Sequence, residues 1–203
     1  MRISTIIFDL GKVLIDFDYS IALHRVAQRS ELTRDEIDEL AYRDHSRLVE
    51  YERGLLTTEA FFEAQREAFR FTGSAGELQE IWCDIFAPIE AHIRMARCLA
   101  EFYPLGLMSN ISEAHVAFLE QRHDFFSIFR EKIYSCRVGS VKPDREIYYH
   151  ALERLGADRF ETLFIDDLEA NVMEASRMGW QTIHLRPDVS LQQALQSYDL
   201  RGV

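Results

Sequence analysis

The chain contains four well-separated apolar runs, and each leads directly into residues that carry charge or hydrogen-bonding groups. They are residues 3–8 before Asp9, residues 105–108 before Ser109 and Asn110, Val141 before Lys142, and residues 163–165 before Asp166 and Asp167. Short apolar runs followed by helical patterns are typical of buried parallel strands, which present polar groups at their carboxyl ends. The pattern therefore predicts one site built from four distant segments.

From residue 88 onward, predicted helices alternate with predicted strands. In chain order these are helix 90–102, strand 105–109, helix 113–122, strand 132–136, helix 145–155, strand 162–165, helix 169–178 and strand 182–185. Gly156 and Gly179 follow two of these helices, where glycine commonly ends a helix. The alternation predicts an α/β fold with a doubly wound parallel sheet, in which the strands bearing Asp9 and Asp166 are neighbours.

The segment between the first strand and Pro88 has a different character. From about Tyr19 to Ala87 it shows helical periods and no convincing strand. Thr33 and Glu36 have capping-box spacing, and glycines near residues 54 and 73–76 separate successive helices. We therefore expect a core formed by residues 1–17 and 88–203, interrupted by an all-helical insert over residues 18–87.

The residues at the strand ends suit phosphate chemistry. Asp9 can act as a nucleophile, and Lys142 can neutralise phosphate charge. Asp166 and Asp167 are adjacent like charges, which favour a nearby cation, and carboxylate oxygen suits Mg²⁺. Each residue alone has a plainer interpretation: a strand-end cap, a solvated acidic turn or a surface lysine. Their ordered combination favours a site.

The four segments FDLGKV, LMSN, VKPD and FIDDLEANV resemble, in order, the motifs of the haloacid dehalogenase superfamily. The resemblance covers nearly the whole chain and implies a helical C1-type cap over the site. It also implies that Asp9 attacks phosphorus to form an aspartyl-phosphate, while Ser109, Asn110 and Lys142 bind the phosphate. The implied Mg²⁺ ligands are Asp9, the backbone carbonyl of Gly11, Asp166, and Asp167 either directly or through water. Asn171 would support them from the following helix.

Position 11 departs from the common family pattern. Most phosphatases of the superfamily carry there an aspartate that protonates the leaving group, whereas this chain has Gly11. Positioned proton transfer is typically worth roughly 10² to 10⁴ in rate, so poor leaving groups should suffer a penalty of that order. Candidate replacement acids are Asp16, Asp18, His24 and water.

The D-L-G variant resembles a branch that includes α-glucose-1-phosphate phosphatases. An anomeric hydroxyl is a comparatively acidic leaving group, so a sugar 1-phosphate depends less on a protonating residue. Residues 51–57 resemble the cap segment of that branch, in which Arg53 would reach the substrate. A solvated charge at a helix end is the alternative for Arg53.

Composition narrows the possible partners. The chain has 34 acidic residues against 23 lysines and arginines, for a net charge of −11, which disfavours nucleic acids and anionic membranes as partners.

Cys83, Cys98 and Cys136 are widely spaced without a C-x-x-C pair, and the seven histidines lack paired metal-ligand spacing. Cleavage of a leader at the amino terminus would remove Asp9 itself. We expect free thiols and a reducing cytoplasmic location.

These observations favour a Mg²⁺-dependent phosphatase acting on a small phosphorylated metabolite, with a sugar phosphate as the first candidate and a monomer or homodimer as the assembly. Two alternatives remain open at this point. One is a catalytically degenerate family member that binds a phosphometabolite or a protein. The other is a haloacid dehalogenase that uses the same aspartate without metal.

Overall fold

The computed structural model describes residues 2–43 and 46–203; Met1, Asp44 and the histidine at position 45 lie outside these ranges. The strands are β1 (Thr5–Phe8), β2 (Ile15–Phe17), β3 (Phe86–Pro88), β4 (Leu105–Ser109), β5 (Glu131–Tyr134), β6 (Thr162–Asp166) and β7 (Gln181–His184). The helices are α1 (Tyr19–Ala27), α2 (Arg34–Arg43), α3 (Ser46–Glu52), α4 (Thr58–Ala68), α5 (Ala75–Cys83), α6 (Glu90–Ala100), α7 (Glu113–Arg122), α8 (Ser135–Val138), α9 (Arg145–Leu155), α10 (Glu169–Arg177) and α11 (Leu191–Leu195).

Five strands form a parallel sheet in the order β5-β4-β1-β6-β7. Strand β1 lies in the middle, with Phe8 opposite Leu107 of β4 and Ile165 of β6. The predicted α/β class and the predicted pairing of the strands that carry Asp9 and Asp166 are both confirmed. Because strand order reverses around β1, the carboxyl ends of β1, β4 and β6 border the crevice where such sheets bind ligands.

Helices cover both faces of this sheet, which explains the continuous apolar runs. Alternate residues of β1 enter different clusters: Ile6 and Phe8 pack on one side, and Ile7 packs on the other with α9 and Trp180. All four residues of β1 are buried. Because β1 is buried on both faces, its residues form a continuous apolar run and do not alternate between apolar and polar.

Helices α1 to α5 form a second unit with its own aromatic core, centred on Tyr51, Phe61, Phe62 and Phe69. Ser74 and Glu77 make a capping box at α5, and Thr57 caps α4. The capping pair predicted from the sequence, Thr33 and Glu36, also exchanges hydrogen bonds, at the start of α2. The insert is helical as expected, while its division from the core at residues 17 and 88 stays a prediction.

The prediction of no strand between about Tyr19 and Ala87 was wrong at the end of that range, where β3 begins at Phe86. Strand β3 pairs antiparallel with β2, so a two-stranded ribbon connects the insert to the core. Each strand has only three residues and β3 ends at Pro88, so neither shows a measurable period. Pro88 is tolerated at the end of this short edge strand because proline removes only one backbone hydrogen-bond donor.

Strand β5 also ends earlier than predicted. Ser135 and Cys136, expected within a strand, begin the helical turn α8, which Gly139 closes with a φ of 74°. By contrast α7 and α9 have the predicted bounds. Among the described residues, none of the helices has the length and apolar content needed to cross a bilayer.

Candidate active site

Three aspartates meet at the carboxyl edge of the sheet. The backbone N–H of Asp9 donates to the Ile165 carbonyl at 2.8 Å, which places Asp9 beside the end of β6. One carboxylate oxygen from each of Asp9, Asp166 and Asp167 lies within 4.8 Å of the other two. Asp9 is 7% exposed and Asp166 is fully buried. The two distant acidic motifs therefore form one cluster.

Lys142 joins two of these carboxylates. Its Nζ lies 2.7 Å from Asp9 Oδ1 and 2.6 Å from Asp166 Oδ2, and the residue is 5% exposed. Burial acts to lower the pKa of the Lys142 ammonium, but the two carboxylates outweigh it and hold that pKa above its usual range. One ammonium among three carboxylates leaves an excess of negative charge.

The excess charge and the donor types suit a hard cation. Burial raises the pKa of Asp9 above its ordinary value, and the neighbouring charge of Asp166 adds to this, while Lys142 opposes it. Burial likewise raises the pKa of Asp167, again with a contribution from Asp166. A divalent cation would relieve this repulsion, and the all-oxygen donor set fits Mg²⁺. The carbonyl of Gly11 as a further ligand stays a prediction.

Asp166 is oriented by hydrogen bonds from helix α10. Asn171 Nδ2 donates to both carboxylate oxygens at 3.0 and 3.1 Å, and the backbone N–H of Leu168 donates to Oδ1 at 2.8 Å. The carbonyl of Asn171 accepts in turn from the Tyr148 hydroxyl at 3.0 Å. These contacts fix the carboxylate before any ligand binds, and they give Asn171 the supporting position that the sequence indicated.

Ser109 and Asn110 follow β4 at the same edge. Ser109 is 4% exposed at the strand end. The Asn110 side chain donates to the Lys142 carbonyl at 2.9 Å and accepts from the Lys142 N–H at 2.7 Å. Asn110 therefore holds the backbone of the loop that carries Lys142, next to the cis peptide bond between Lys142 and Pro143. Phosphate binding by Ser109 and Asn110 stays a prediction.

Arg53 has a partner other than the expected phosphate. Its Nη2 lies 2.7 Å from Asp144 Oδ2, and this ion pair is partly exposed. Asp144 stands two residues after Lys142, so the pair connects the insert to the loop that carries Lys142. A role for Arg53 in binding phosphate remains a prediction, and the contact observed is structural.

The surroundings of Gly11 explain the absence of a side chain there. A Cβ added to Gly11 would lie 2.9 Å from Cε1 of Phe17, closer than real Cβ contacts allow. The ring of Phe17 thus occupies the space that an aspartate side chain would need.

The three side chains considered as replacement acids have other hydrogen-bond or ion-pair partners. Asp16 is exposed and pairs with Lys12 at 2.5 Å, and this hydrogen bond lowers the pKa of Asp16. Asp18 caps α1 by accepting from the Ser20 N–H at 2.8 Å, and hydrogen bonding from the Ser20 side chain and backbone lowers the pKa of Asp18. His24 is exposed and contacts Gln28 at 3.1 Å.

A cavity of about 140 Å³ adjoins Gly11 and Ser109 and extends to the insert. Its lining is mainly apolar and aromatic, and comprises Leu10, Gly11, Ile15, Phe17, Tyr19, Leu48, Glu52, Phe86, Ser109, Asn110, Ile111 and His115. Glu52 and His115 are titratable members that the sequence pattern did not single out. Neither follows a strand, and although Glu52 lies within the segment 51–57, only the packing of the insert against the core shows that both line this cavity.

The sequence matches the model of the haloacid dehalogenase-like hydrolase family over residues 3–179. The chain belongs to this family. The match spans β1 through α10 and thus every residue of the cluster described above.

Curated relatives match parts of the chain. Rat bifunctional epoxide hydrolase 2 is 37% identical over 38% of this chain and 13% of its own length. The sesquiterpene phosphatase astK of Aspergillus oryzae is 32% identical over 45% of this chain and 49% of its own length. The matched region is therefore less than two thirds of either relative.

Solved structures share the fold over nearly the whole chain. A haloacid dehalogenase family enzyme from Bacteroides thetaiotaomicron superposes with a TM-score of 0.85 at 23% identity, covering 95% of this chain and 98% of that one. The same enzyme has been crystallised with magnesium and inorganic phosphate, and in that form gives a TM-score of 0.83 at 24% identity, covering 93% of this chain and 97% of that one.

Proposed function

We propose that this protein is a Mg²⁺-dependent phosphatase that hydrolyses a small phosphomonoester through an aspartyl-phosphate on Asp9. The observation that carries the proposal is the cluster of Asp9, Asp166 and Asp167, in which the Lys142 ammonium pairs with Asp9 and Asp166. Three carboxylates with only one neighbouring ammonium leave uncompensated charge, which is costly where two of the carboxylates are buried, so the arrangement favours a bound cation over a purely structural ion pair.

The chain's own groups can perform the reaction. The Leu10 N–H and Lys142 hold Oδ1 of Asp9, which fixes the carboxylate that attacks phosphorus. The Lys142 ammonium and the Ser109 hydroxyl would bind phosphate oxygens as the ester bond breaks. Water then hydrolyses the aspartyl-phosphate and restores Asp9. Mg²⁺ held by Asp9, Asp166 and Asp167 would supply positive charge that stabilises the transferred phosphoryl group.

The comparisons support this assignment. The Bacteroides enzyme of the same fold binds magnesium and inorganic phosphate, and astK is named as a phosphatase. Both facts describe those proteins, and they agree with the oxygen-rich, negatively charged cluster found in this chain.

Two classes of substrate are candidates. A sugar phosphate, in particular a sugar 1-phosphate, fits the absence of an acid at Gly11, since its leaving group is comparatively acidic. A phosphate ester of an apolar alcohol fits the lining of the cavity, in which Phe17, Tyr19 and Phe86 supply aromatic surface. The relationship to a sesquiterpene phosphatase adds support to the second class.

The test is hydrolysis of p-nitrophenyl phosphate with and without Mg²⁺. We expect metal-dependent phosphate release that Asp9→Asn abolishes, because the amide is a poor nucleophile. Asp199→Asn, at an exposed position near the carboxyl terminus, is the matched control and should retain full activity. Turnover that survives Asp9→Asn, or that does not need metal, would refute the proposal.

The same protein samples discriminate the alternatives. A dehalogenase would release halide from a 2-haloacid without Mg²⁺, whereas we expect none. A degenerate binding protein would show no metal-dependent turnover with any phosphomonoester in a screen of phosphorylated metabolites and apolar alcohol phosphates.

A further inference from the structure

Glu52 is the last residue of α3 and lines the cavity that also contains Gly11 and Ser109. It brings a carboxyl group from the insert to the cavity that Gly11 lines, where the family's usual acid is missing. Lys142 is near enough for its charge to act on Glu52. Among the residues described as lining this cavity, Glu52 is the only one with a carboxyl group.

Contacts of the neighbouring residues hold this part of the insert against the core. The Tyr51 hydroxyl accepts from the Ala114 N–H at 3.2 Å. Arg53 pairs with Asp144, and Gly54 packs so closely that an added Cβ would lie 2.2 Å from the Cys136 carbonyl oxygen. Glu52 is thus flanked on both sides by residues anchored to the core, which fixes its backbone relative to Asp9 and Lys142.

We propose that Glu52 is the general acid and base of this site, replacing the side chain that Gly11 lacks. The inference rests on the proposed phosphatase function and adds a residue to it. Phe17 fills the space beside Gly11, and Asp16, Asp18 and His24 have other partners, so the cavity offers Glu52 as the carboxyl group facing a bound ester.

The proton balance is complete with this residue. As Asp9 forms its bond to phosphorus, the bond from phosphorus to the leaving oxygen breaks, and that oxygen takes the proton of the Glu52 carboxyl group. The alcohol departs and leaves Glu52 ionised. Glu52 then accepts a proton from the water that attacks phosphorus, the bond to Asp9 breaks, and phosphate is released with Glu52 again protonated.

The environment suits both roles. Burial raises the pKa of Glu52 to about 7, while the charge of Lys142 opposes the rise. The other titratable groups lining the cavity are Tyr19 on α1 and His115 on α7; burial raises the pKa of the Tyr19 hydroxyl and lowers the pKa of His115 to about 4, so both are neutral near pH 7. A general acid and base works best when its pKa is near the working pH.

Leaving-group dependence tests the proposal. The wild-type protein and Glu52→Gln are assayed with Mg²⁺ on p-nitrophenyl phosphate, whose leaving group needs no proton, and on an alkyl phosphate, whose leaving group does. We expect Glu52→Gln to lower kcat/KM for the alkyl ester by roughly 10²-fold or more and for the aryl ester by less than about 3-fold. Glu52→Asp should recover part of the alkyl activity. Glu50→Gln, an exposed change on the same helix, should alter neither.

The outcomes separate this inference from the proposed function. Equal loss on both esters, or no loss on either, overturns the role of Glu52 while the phosphatase assignment stands. A wild-type protein without metal-dependent turnover on any ester refutes the phosphatase assignment itself. A variant that loses all activity is checked by its melting temperature; if it is folded, the proposal fails, and if it is not, Glu52→Asp decides by the same comparison of esters.

Discussion

Lys142 shows at the scale of one residue how function and stability are coupled in this site. Removing an ammonium from water is costly, and only close carboxylates compensate for it. Asp9 and Asp166 do so at 2.7 and 2.6 Å, and Asn110 holds the backbone of Lys142 from the neighbouring strand end. The lysine therefore compensates part of the carboxylate charge in the free protein.

Replacing Lys142 by methionine should destabilise the fold in metal-free buffer. The change leaves two buried carboxylates without their cation, and breaking a buried pair in this way costs about 3–5 kcal/mol of the free energy of unfolding. Urea denaturation with EDTA measures the loss, and added Mg²⁺ should restore part of it.

Lys132→Met provides the matched control. Lys132 pairs with Glu120 at 2.6 Å but is one-third exposed, so its loss should cost no more than about 1 kcal/mol. Equal losses for the two variants would show that Lys142 does not balance buried charge.

The sequence predicted three of its four strand-end positions, for a physical reason; the fourth was wrong, since Lys142 lies in a loop after α8. Asp9, Ser109 and Asp166 each end an apolar run, and the geometry of parallel strands brings such ends to one edge. Glu52 escaped prediction because it belongs to no strand and comes to the site only through the packing of the insert. Phe17, whose ring lies against Gly11, could not be identified because it belongs to β2, whose three residues show no period.

Among the elements, the turn after α3 controls how the insert meets the core. Gly54 has a φ of 71°, and an added Cβ would lie 2.2 Å from the backbone oxygen of Cys136. If another residue replaced Gly54, rotating its side chain could relieve neither the left-handed backbone conformation nor the close contact with the Cys136 oxygen. This turn directly follows Glu52 and Arg53, so its position affects both.

Gly54→Ala should lower the free energy of unfolding by about 2 kcal/mol or more, since it combines a left-handed backbone with a clash against backbone. It should also reduce phosphatase activity by shifting Glu52. Gly76→Ala in α5 is the control: its Cβ would meet only Ser74 Oγ at 3.9 Å, and alanine in a helix should leave stability unchanged or improve it. Equal stability of the two variants in urea denaturation would contradict the tight contact at Gly54.

The elements with strong local signals were those that the sequence predicted. Helices α7 and α9 matched because their starts and ends carry capping residues, such as Ser112 and Gly156. The ribbon of β2 and β3 was missed because each strand depends on a partner about 70 residues away, and three residues give no period.

For the whole molecule, the junction of the two units contains a group that makes global stability depend on pH. His115 is 4% exposed, its Nε2 has no hydrogen-bond partner, and burial lowers its pKa to about 4. The unfolded chain binds a proton near pH 6.5, whereas the folded chain resists it. The contribution of His115 to the free energy of unfolding is therefore fully present above about pH 6.5 and decreases as the pH falls towards 4.

His115→Gln should reduce this pH dependence. With about 1.4 kcal/mol per pKa unit, His115 accounts for roughly 3 kcal/mol between pH 7 and pH 4. Urea denaturation at both pH values gives the difference for the wild-type protein, for His115→Gln and for His24→Gln at an exposed position. If His115→Gln and His24→Gln show the same pH dependence as the wild type, the histidine is not buried in its neutral form.

The central claim is that distant strand ends form one phosphoryl-transfer centre on Asp9. A crystal structure with Mg²⁺ and beryllium trifluoride, a mimic of a phosphoryl group, tests it most directly. We predict beryllium bonded to an Asp9 carboxylate oxygen, with its fluorides near Lys142 and Ser109, and Mg²⁺ coordinated by Asp9 and Asp166 with Asp167 bound directly or through water. A mimic bound elsewhere, or Mg²⁺ bound away from these carboxylates, would contradict the account.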